Sequence, residues 1–231
     1  MELPPAGTEK GRQRSGRYAG KAASTRQAER RQKLVAAGIV LIGRQGYAAT
    51  SIDAVCSEAG LTKRYFYESF ASSEDLLVAC YGAVTREFLM SIMQATTPHL
   101  RDSRQLVRAG LQQTFGYVRK NPDKARLIMI EAMSVRSQLG QLYGSRYGEF
   151  VDLLVGFTKP FLPGPGPGDA ILAVMARGAV GALIHLCQGW IATGFKQPIE
   201  ELVAGTEHIF GGMGRDLGIP GWVEAPAGPA R

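Results

Sequence analysis

Apolar positions begin to recur with helical spacing only from residue 34. Leu34, Gly38 and Leu41, beside Val35, Ile39 and Ile42, repeat at i, i+3 or i+4, and i+7. Upstream, "STRQ" at Ser24–Gln27 has capping-box spacing, which predicts a first helix from Ser24 to the glycines at Gly43 and Gly46. In "YAATSIDAVCSEAG", Thr50 is placed to cap a second helix whose apolar stripe is Ile52, Val55 and Ala59. Gly60 supplies a turn, Thr62 a second cap, and Phe66 and Phe70 sit at i and i+4 of a third helix. Two short helices separated by a glycine turn form a helix-turn-helix pattern.

The pattern continues helical to the end of the chain. "SSEDLLVACYGAVTREFLMSIMQ" predicts a long amphipathic helix up to Pro98. Residues 102–120 predict another, opened by Asp102 and closed by "KNPD", where Asn121 caps and Pro122 takes the first position of the next helix. That helix carries "ARLIMIEAM", and residues 138–160 continue helically despite four glycines. "LPGPGPGD" lacks a Lys-Ser or Lys-Thr ending and its prolines remove N–H donors, so it reads as a linker and not a phosphate loop. No charged residue falls between Arg177 and Lys196, a length near that of a membrane span, but His185, Gln188 and the glycines favour a buried helix. "PIEELVAGTEHIFGGMG" supplies its amphipathic partner. The expected fold is all-α, with about nine helices: a disordered basic arm at 1–23, a helix-turn-helix domain at 24–72, a larger helical domain at 73–216 and a flexible tail at 217–231.

Charge gives this layout a direction. Residues 1–33 hold nine Lys or Arg against three acids, a net +6 of the chain's +7, while residues 34–72 balance and 73–231 carry 15 basic and 14 acidic groups. Such asymmetry points to a polyanion near the amino terminus. With Phe66 and Phe70 facing inward, Lys63, Arg64 and Tyr67 converge on the opposite side of the third helix, the side that enters the major groove in a helix-turn-helix unit. There Arg can grip guanine O6 and N7, whereas Lys and Tyr on phosphate set register. Glu68 opposes binding unless it pairs with a neighbouring cation.

Catalytic chemistry finds no such support. Cys56, Cys80 and Cys187 form no CxxC pair and suit a reducing cytosol; His99, His185 and His208 are scattered. His185 and Cys187, two apart on a helix, point to nearly opposite sides and share neither a metal nor a nucleophile–base pair. The sequence therefore predicts no catalytic residue, metal or cofactor. A helical enzyme or lipid-binding protein whose basic arm meets acidic headgroups is the alternative that the charge map leaves open.

"GYAATSIDAVCSEAGLTKRYFYESFASSEDLL" resembles the amino-terminal domain of TetR-type transcriptional regulators, over residues from about 26 to 80. Gly46, Tyr47, Thr50, Ile52, Ala59, Gly60, Thr62, Tyr67, Phe70, Glu74 and Leu76 occupy that family's pattern positions. Two positions depart: Ser69 and Ser73 stand where the family often has His and Lys. The resemblance implies a DNA-binding, ligand-responsive homodimeric repressor released from a palindromic operator by a small molecule; the lack of an Arg cluster in the apolar helices favours a lipophilic effector, and the cysteine usage and water-soluble context favour a cytoplasmic protein with no membrane role. On this reading Thr50, Ser51, Thr62, Lys63, Arg64, Tyr65, Tyr67 and Ser73 contact DNA. Phe88, Phe115, Met129, Met133, Met175 and His185 are candidates to line the effector pocket. Gly178, Ala179, Ala182, Leu186, Trp190 and Ile209 are candidates for a four-helix dimer interface, the small residues among them letting a partner helix approach.

Overall fold

The computed structural model describes residues 10–131 and 138–223, with side chains described for 24–131 and 147–223. The described chain holds nine α-helices: α1 (Lys10–Gln45), α2 (Ile52–Ala59), α3 (Lys63–Tyr67), α4 (Ser73–Thr96), α5 (Ser103–Lys120), α6 (Pro122–Arg126), α7 (Gln138–Thr158), α8 (Asp169–Ala192) and α9 (Ile199–Asp216). No strand occurs among the described residues; Pro220 and Val223 form one isolated bridge.

α1 joins the amino-terminal three-helix unit to the rest. Its inner face buries Leu34, Ala37 and Ile42, and two glycines set how closely it packs. A Cβ on Gly38 would lie 2.8 Å from Cys80 Sγ, and one on Gly43 would overlap the Asp123 backbone. α1 therefore rests directly on α4 and α6, and one core runs from Leu34 and Phe66 through Leu77, Val84 and Phe115 to Cys187 and Trp190. α1 ends at Gly46, whose φ of 86° only glycine adopts readily.

Several local expectations change. α1 begins at Lys10 and not at Ser24, so residues 10–23, expected as an unstructured arm, extend the helix; residues 1–9 lie outside the described residues. Arg, Gln, Ala and Lys in that stretch have good helix propensity, which the low content of large apolar residues obscured. Ser51, not Thr50, caps α2 by accepting from Ala54 N at 3.1 Å, while Thr50 Oγ1 donates to Gly46 O at 2.8 Å. Thr62 makes no side-chain cap bond to α3. Asn121 does not cap α6 with its side chain; its Nδ2 donates back to Tyr117 O at 3.0 Å, closing α5 instead.

The "ARLIMIEAM" segment widens at Leu127–Glu131 into a π-turn, and Gln188 Nε2 from α8 donates to Met129 O at 2.7 Å. Residues 217–223, expected as part of a flexible tail, fold back onto α9; 224–231 lie outside the described residues. Gly218 and Gly221 take left-handed φ values of 67° and 89°, and Trp222 lies so close over Gly211 and Gly214 that a Cβ on either would meet the indole at 2.7–2.8 Å. Ser103 Oγ, donating to Pro220 O at 2.7 Å, fixes the return.

α4 and α8 have the length and hydropathy of a membrane span by composition alone. α8, expected to be buried, is so only on one side: Leu172, Ala176, Ala179, Cys187 and Trp190 face the core, while Ile171, Val174, Gly178, His185 and Gly189 are exposed.

Candidate nucleic-acid interface and central cavity

α3 is held by two phenyl rings and one glycine turn. Gly60 ends α2 in the left-handed region at φ 63°, with its N–H on Cys56 and Ser57 carbonyls, and this aims the chain into α3 at once. Phe66 is fully buried and Phe70 nearly so, with ring centroids 5.7 Å apart. At i and i+4 they anchor the inner side of a helix too short to be stable alone. The outer side then carries Lys63 with 55% of its side chain exposed, Arg64 with 85% and Tyr67 with 58%.

Carboxylates sit among these cations. Lys63 Nζ lies 2.9 Å from Asp53 Oδ1, which raises the lysine pKa by hydrogen bond and charge and keeps the ammonium protonated. Arg64 Nε donates to Glu68 Oε1 at 3.1 Å. Glu68 also faces Arg30 at 3.6 Å and accepts from Gln27 at its carbonyl, so it ties α3 to α1. Exposed pairs of this kind contribute about 0–1 kcal/mol, so a phosphate can replace the carboxylate at small cost. Arg30 stacks over the Tyr65 ring at 4.5 Å and Arg31 over Phe70 at 4.8 Å, which leaves Tyr65 half-buried against α1.

Of the residues expected at DNA, Ser51, Thr62, Lys63, Arg64 and Tyr67 are exposed, and Thr50 and Tyr65 are half-buried. Ser73 differs: its hydroxyl is 3.1 Å from Tyr47 OH, and Ser72 is the residue that caps α4, accepting from Asp75 N at 3.1 Å. The Tyr47 hydroxyl was not foreseen as its partner, since nothing local pairs residues 47 and 73.

The same corner reaches the body of the protein. Tyr47 N donates to Glu131 Oε2 at 3.0 Å, and Arg44 Nε pairs with Asp123 at 3.2 Å. Glu131 ends the π-turn whose Ile128 and Met129 line a cavity of about 130 Å³ between α4, α5, α7, α8 and α9. Among the described residues no Asp, Glu, Lys, Arg or His lines it.

Of the expected pocket residues, Phe88 and Met129 line this cavity, whereas Phe115, Met175 and His185 do not. Phe115 is buried edge-on against Trp190 at 5.8 Å; Met175 lines a smaller cavity of about 60 Å³ beside Trp222; His185 is exposed on α8. Met133 lies outside the described residues. Tyr81, Thr85, Tyr147, Phe150 and Phe157 line the cavity without having been singled out. Thr85 Oγ1 is buried with no hydrogen-bond partner, alone among the described side-chain N and O atoms in this respect.

Of the expected dimer residues, Gly178 and Ile209 are exposed, and Ala182 and Leu186 half-buried. Ala179 and Trp190 are instead buried within the chain: Trp190 Nε1 donates to Gln197 O at 2.9 Å and the indole meets Phe195 edge-on at 5.0 Å. Gly178, Gly189 and Gly205 leave open space where a Cβ would stand, so no neighbour among the described residues requires glycine there.

The three thiols are buried, and burial pushes Cys80 and Cys187 up to about 12 and raises Cys56 as well. At pH 8 Cys80 and Cys187 therefore hold on the order of a thousandfold less thiolate than a free cysteine. Alkylation of the folded protein with iodoacetamide is expected to be that much slower than in denaturant; free-cysteine rates at either position would contradict it. Among the described residues no three His, Cys, Asp or Glu gather as a metal site.

Comparison with known proteins agrees with this geometry. Residues 34–80, spanning the last third of α1 through the start of α4, match the family described as bacterial regulatory proteins, tetR family. The chain is 31% identical over 106 residues to the HTH-type transcriptional activator FasR of Mycolicibacterium smegmatis, covering 45% of this chain and 46% of that protein. It is 26% identical over 165 residues to the HTH-type transcriptional regulator YerO of Bacillus subtilis, covering 68% and 56%. The chain thus spans about half the length of these relatives. The fold superposes on the transcriptional regulator FadR from Bacillus subtilis, solved with stearoyl-CoA, at a TM-score of 0.65 and 14% identity, covering 77% of this chain and 96% of that one. The match to the tetR family thus lies in the amino-terminal domain, residues 34–80, and the helical architecture of the whole chain resembles that of solved TetR-like regulators.

Proposed function

We propose that the protein is a cytoplasmic homodimer that represses transcription by seating α3 of each protomer in the major groove of a palindromic operator, and that a small lipophilic molecule in the central cavity releases it. One observation carries the DNA reading: a helix pinned from behind by Phe66 and Phe70 offers Lys63, Arg64 and Tyr67 outward. Selection of bound duplexes from random DNA tests it. Enrichment of two inverted half-sites is expected; a single asymmetric half-site, or no enrichment, would contradict it.

The exposed apolar face of α8, with α9, supports the dimer. Ile171, Val174, Gly178, Ala182 and His185 follow helical spacing, and glycine in a helix interior costs about 1 kcal/mol unless something needs the room. A partner helix is that something. Gly178→Leu is expected to turn the dimer into monomers at micromolar concentration by light scattering; an unchanged mass would place the interface elsewhere.

The π-turn supports the response. A ligand pressing on Ile128 and Met129 acts on the segment whose Glu131 holds the Tyr47 backbone, and Tyr47 in turn bonds Ser73 at the start of α4. To shift operator affinity by the usual 1–3 kcal/mol, the ligand must prefer the displaced arrangement by that amount. FadR of Bacillus subtilis, solved with stearoyl-CoA, motivates a lipophilic effector. Activation is the second reading, motivated by the FasR relative, an activator. A reporter behind the selected operator separates them: deleting the gene raises expression under repression and lowers it under activation.

A further inference from the structure

Three threonines line the central cavity, and two of them satisfy their hydroxyls on their own helix. Thr96 Oγ1 donates to Ile92 O at 2.8 Å and Thr114 Oγ1 to Gly110 O at 2.8 Å, the usual bond to the carbonyl four residues back. Tyr147, also in the wall, donates its hydroxyl to Arg177 O at 2.6 Å. Thr85, in the middle of α4, does neither: its side chain is 1% exposed and Oγ1 has no partner. A buried hydroxyl without a partner costs more than an ordinary hydrogen bond gains, and valine has the same shape without the penalty.

We propose that Thr85 is the specificity-determining residue of the cavity, its hydroxyl bonding the single hydroxyl or carbonyl of an otherwise apolar, uncharged molecule. This rests on the reading that the cavity holds the effector. Size and charge define the class further. About 130 Å³ is close to the roughly 150 Å³ of an apolar cavity that admits benzene, which suits one ring with a short substituent or a comparable length of chain. With no ionic side chain in the described wall, a carboxylate inside would lose its hydration without compensation. Cys187, in the same wall, stays a neutral thiol and offers no counter-charge.

The whole 231-residue chain is titrated calorimetrically with toluene, the three cresols and 4-methylbenzoate at pH 7. Wild type is expected to bind the best cresol in preference to 4-methylbenzoate by at least about tenfold. Thr85→Val should lower the cresol-to-toluene affinity ratio at least about tenfold while leaving toluene bound as well or better, and Thr85→Ser should restore most of the ratio. A ratio within about twofold of wild type in Thr85→Val, carboxylate binding equal to cresol, or no binding of any probe would each overturn the assignment. Duplex binding is measured on the same samples: wild type failing to bind the selected duplex sinks the regulator reading and leaves the cresol ratio readable. Thr85→Val that holds the duplex but keeps its cresol preference sinks only the role of Thr85.

Discussion

Phe66→Ala is expected to destabilise the protein by about 3–5 kcal/mol, the range for removing a buried phenyl ring and leaving its cavity. The ring is fully buried, 5.7 Å from Phe70 and 5.4 Å from Tyr67, and belongs to the same core as Leu34 and Leu77. Within α3 itself no other side chain can replace it, because the helix has five residues and Phe66 is its one buried position. Against a total stability of about 5–15 kcal/mol the loss is large enough to unfold the amino-terminal unit near physiological temperature. Urea denaturation at fixed protomer concentration measures it, since the proposed dimer would link stability to concentration. Phe66→Leu should recover much of the difference. A midpoint shift worth under about 1 kcal/mol for Phe66→Ala would mean that the ring does not hold α3.

Arg64→Ala has the opposite profile: little effect on stability and a large one on DNA. Its side chain is 85% exposed and its pair with Glu68 is a surface ion pair, so stability should change by no more than about 0.5 kcal/mol. If each Arg64 grips a guanine, its loss costs about 1–3 kcal/mol per half-site, about 2–6 kcal/mol for the dimer. Gel-shift affinity for the selected duplex should then fall between about 30-fold and more than about 10,000-fold at constant salt. Lys63→Ala should instead weaken all sequences alike and lower the salt slope by about one per half-site. Equal affinity in both variants would remove α3 from the interface.

The division between what the sequence could and could not say follows physical lines. Phe66 and Phe70 announced the inner side of α3 because i, i+4 rings on a short helix have one common face, and Glu68 found its cation in Arg64 four residues back and in Arg30 across the junction. Thr50 and Ser51 are adjacent hydroxyls with the same capping chemistry, so only the backbone turn decides between them. α8 is apolar nearly all round, and periodicity could not say which side faces inward; hence Trp190 and Ala179 lie inside and His185 outside. Phe115 and Met175 are apolar residues that pack, and only the assembled helices reveal which packed residues border a void. The Tyr47–Ser73 and Tyr47–Glu131 bonds join residues distant in sequence, and the missing partner of Thr85 is a property of a rotamer in a filled neighbourhood.

Dimethyl sulfate footprinting of the selected duplex tests the central claim most directly, because it reads guanine N7 in the major groove. Wild type should protect one guanine or more in each inverted half-site, and Arg64→Ala, at a concentration that restores occupancy, should leave those guanines reactive. Full occupancy with no N7 protected, or the same protection in Arg64→Ala, would contradict the placement of α3 in the groove.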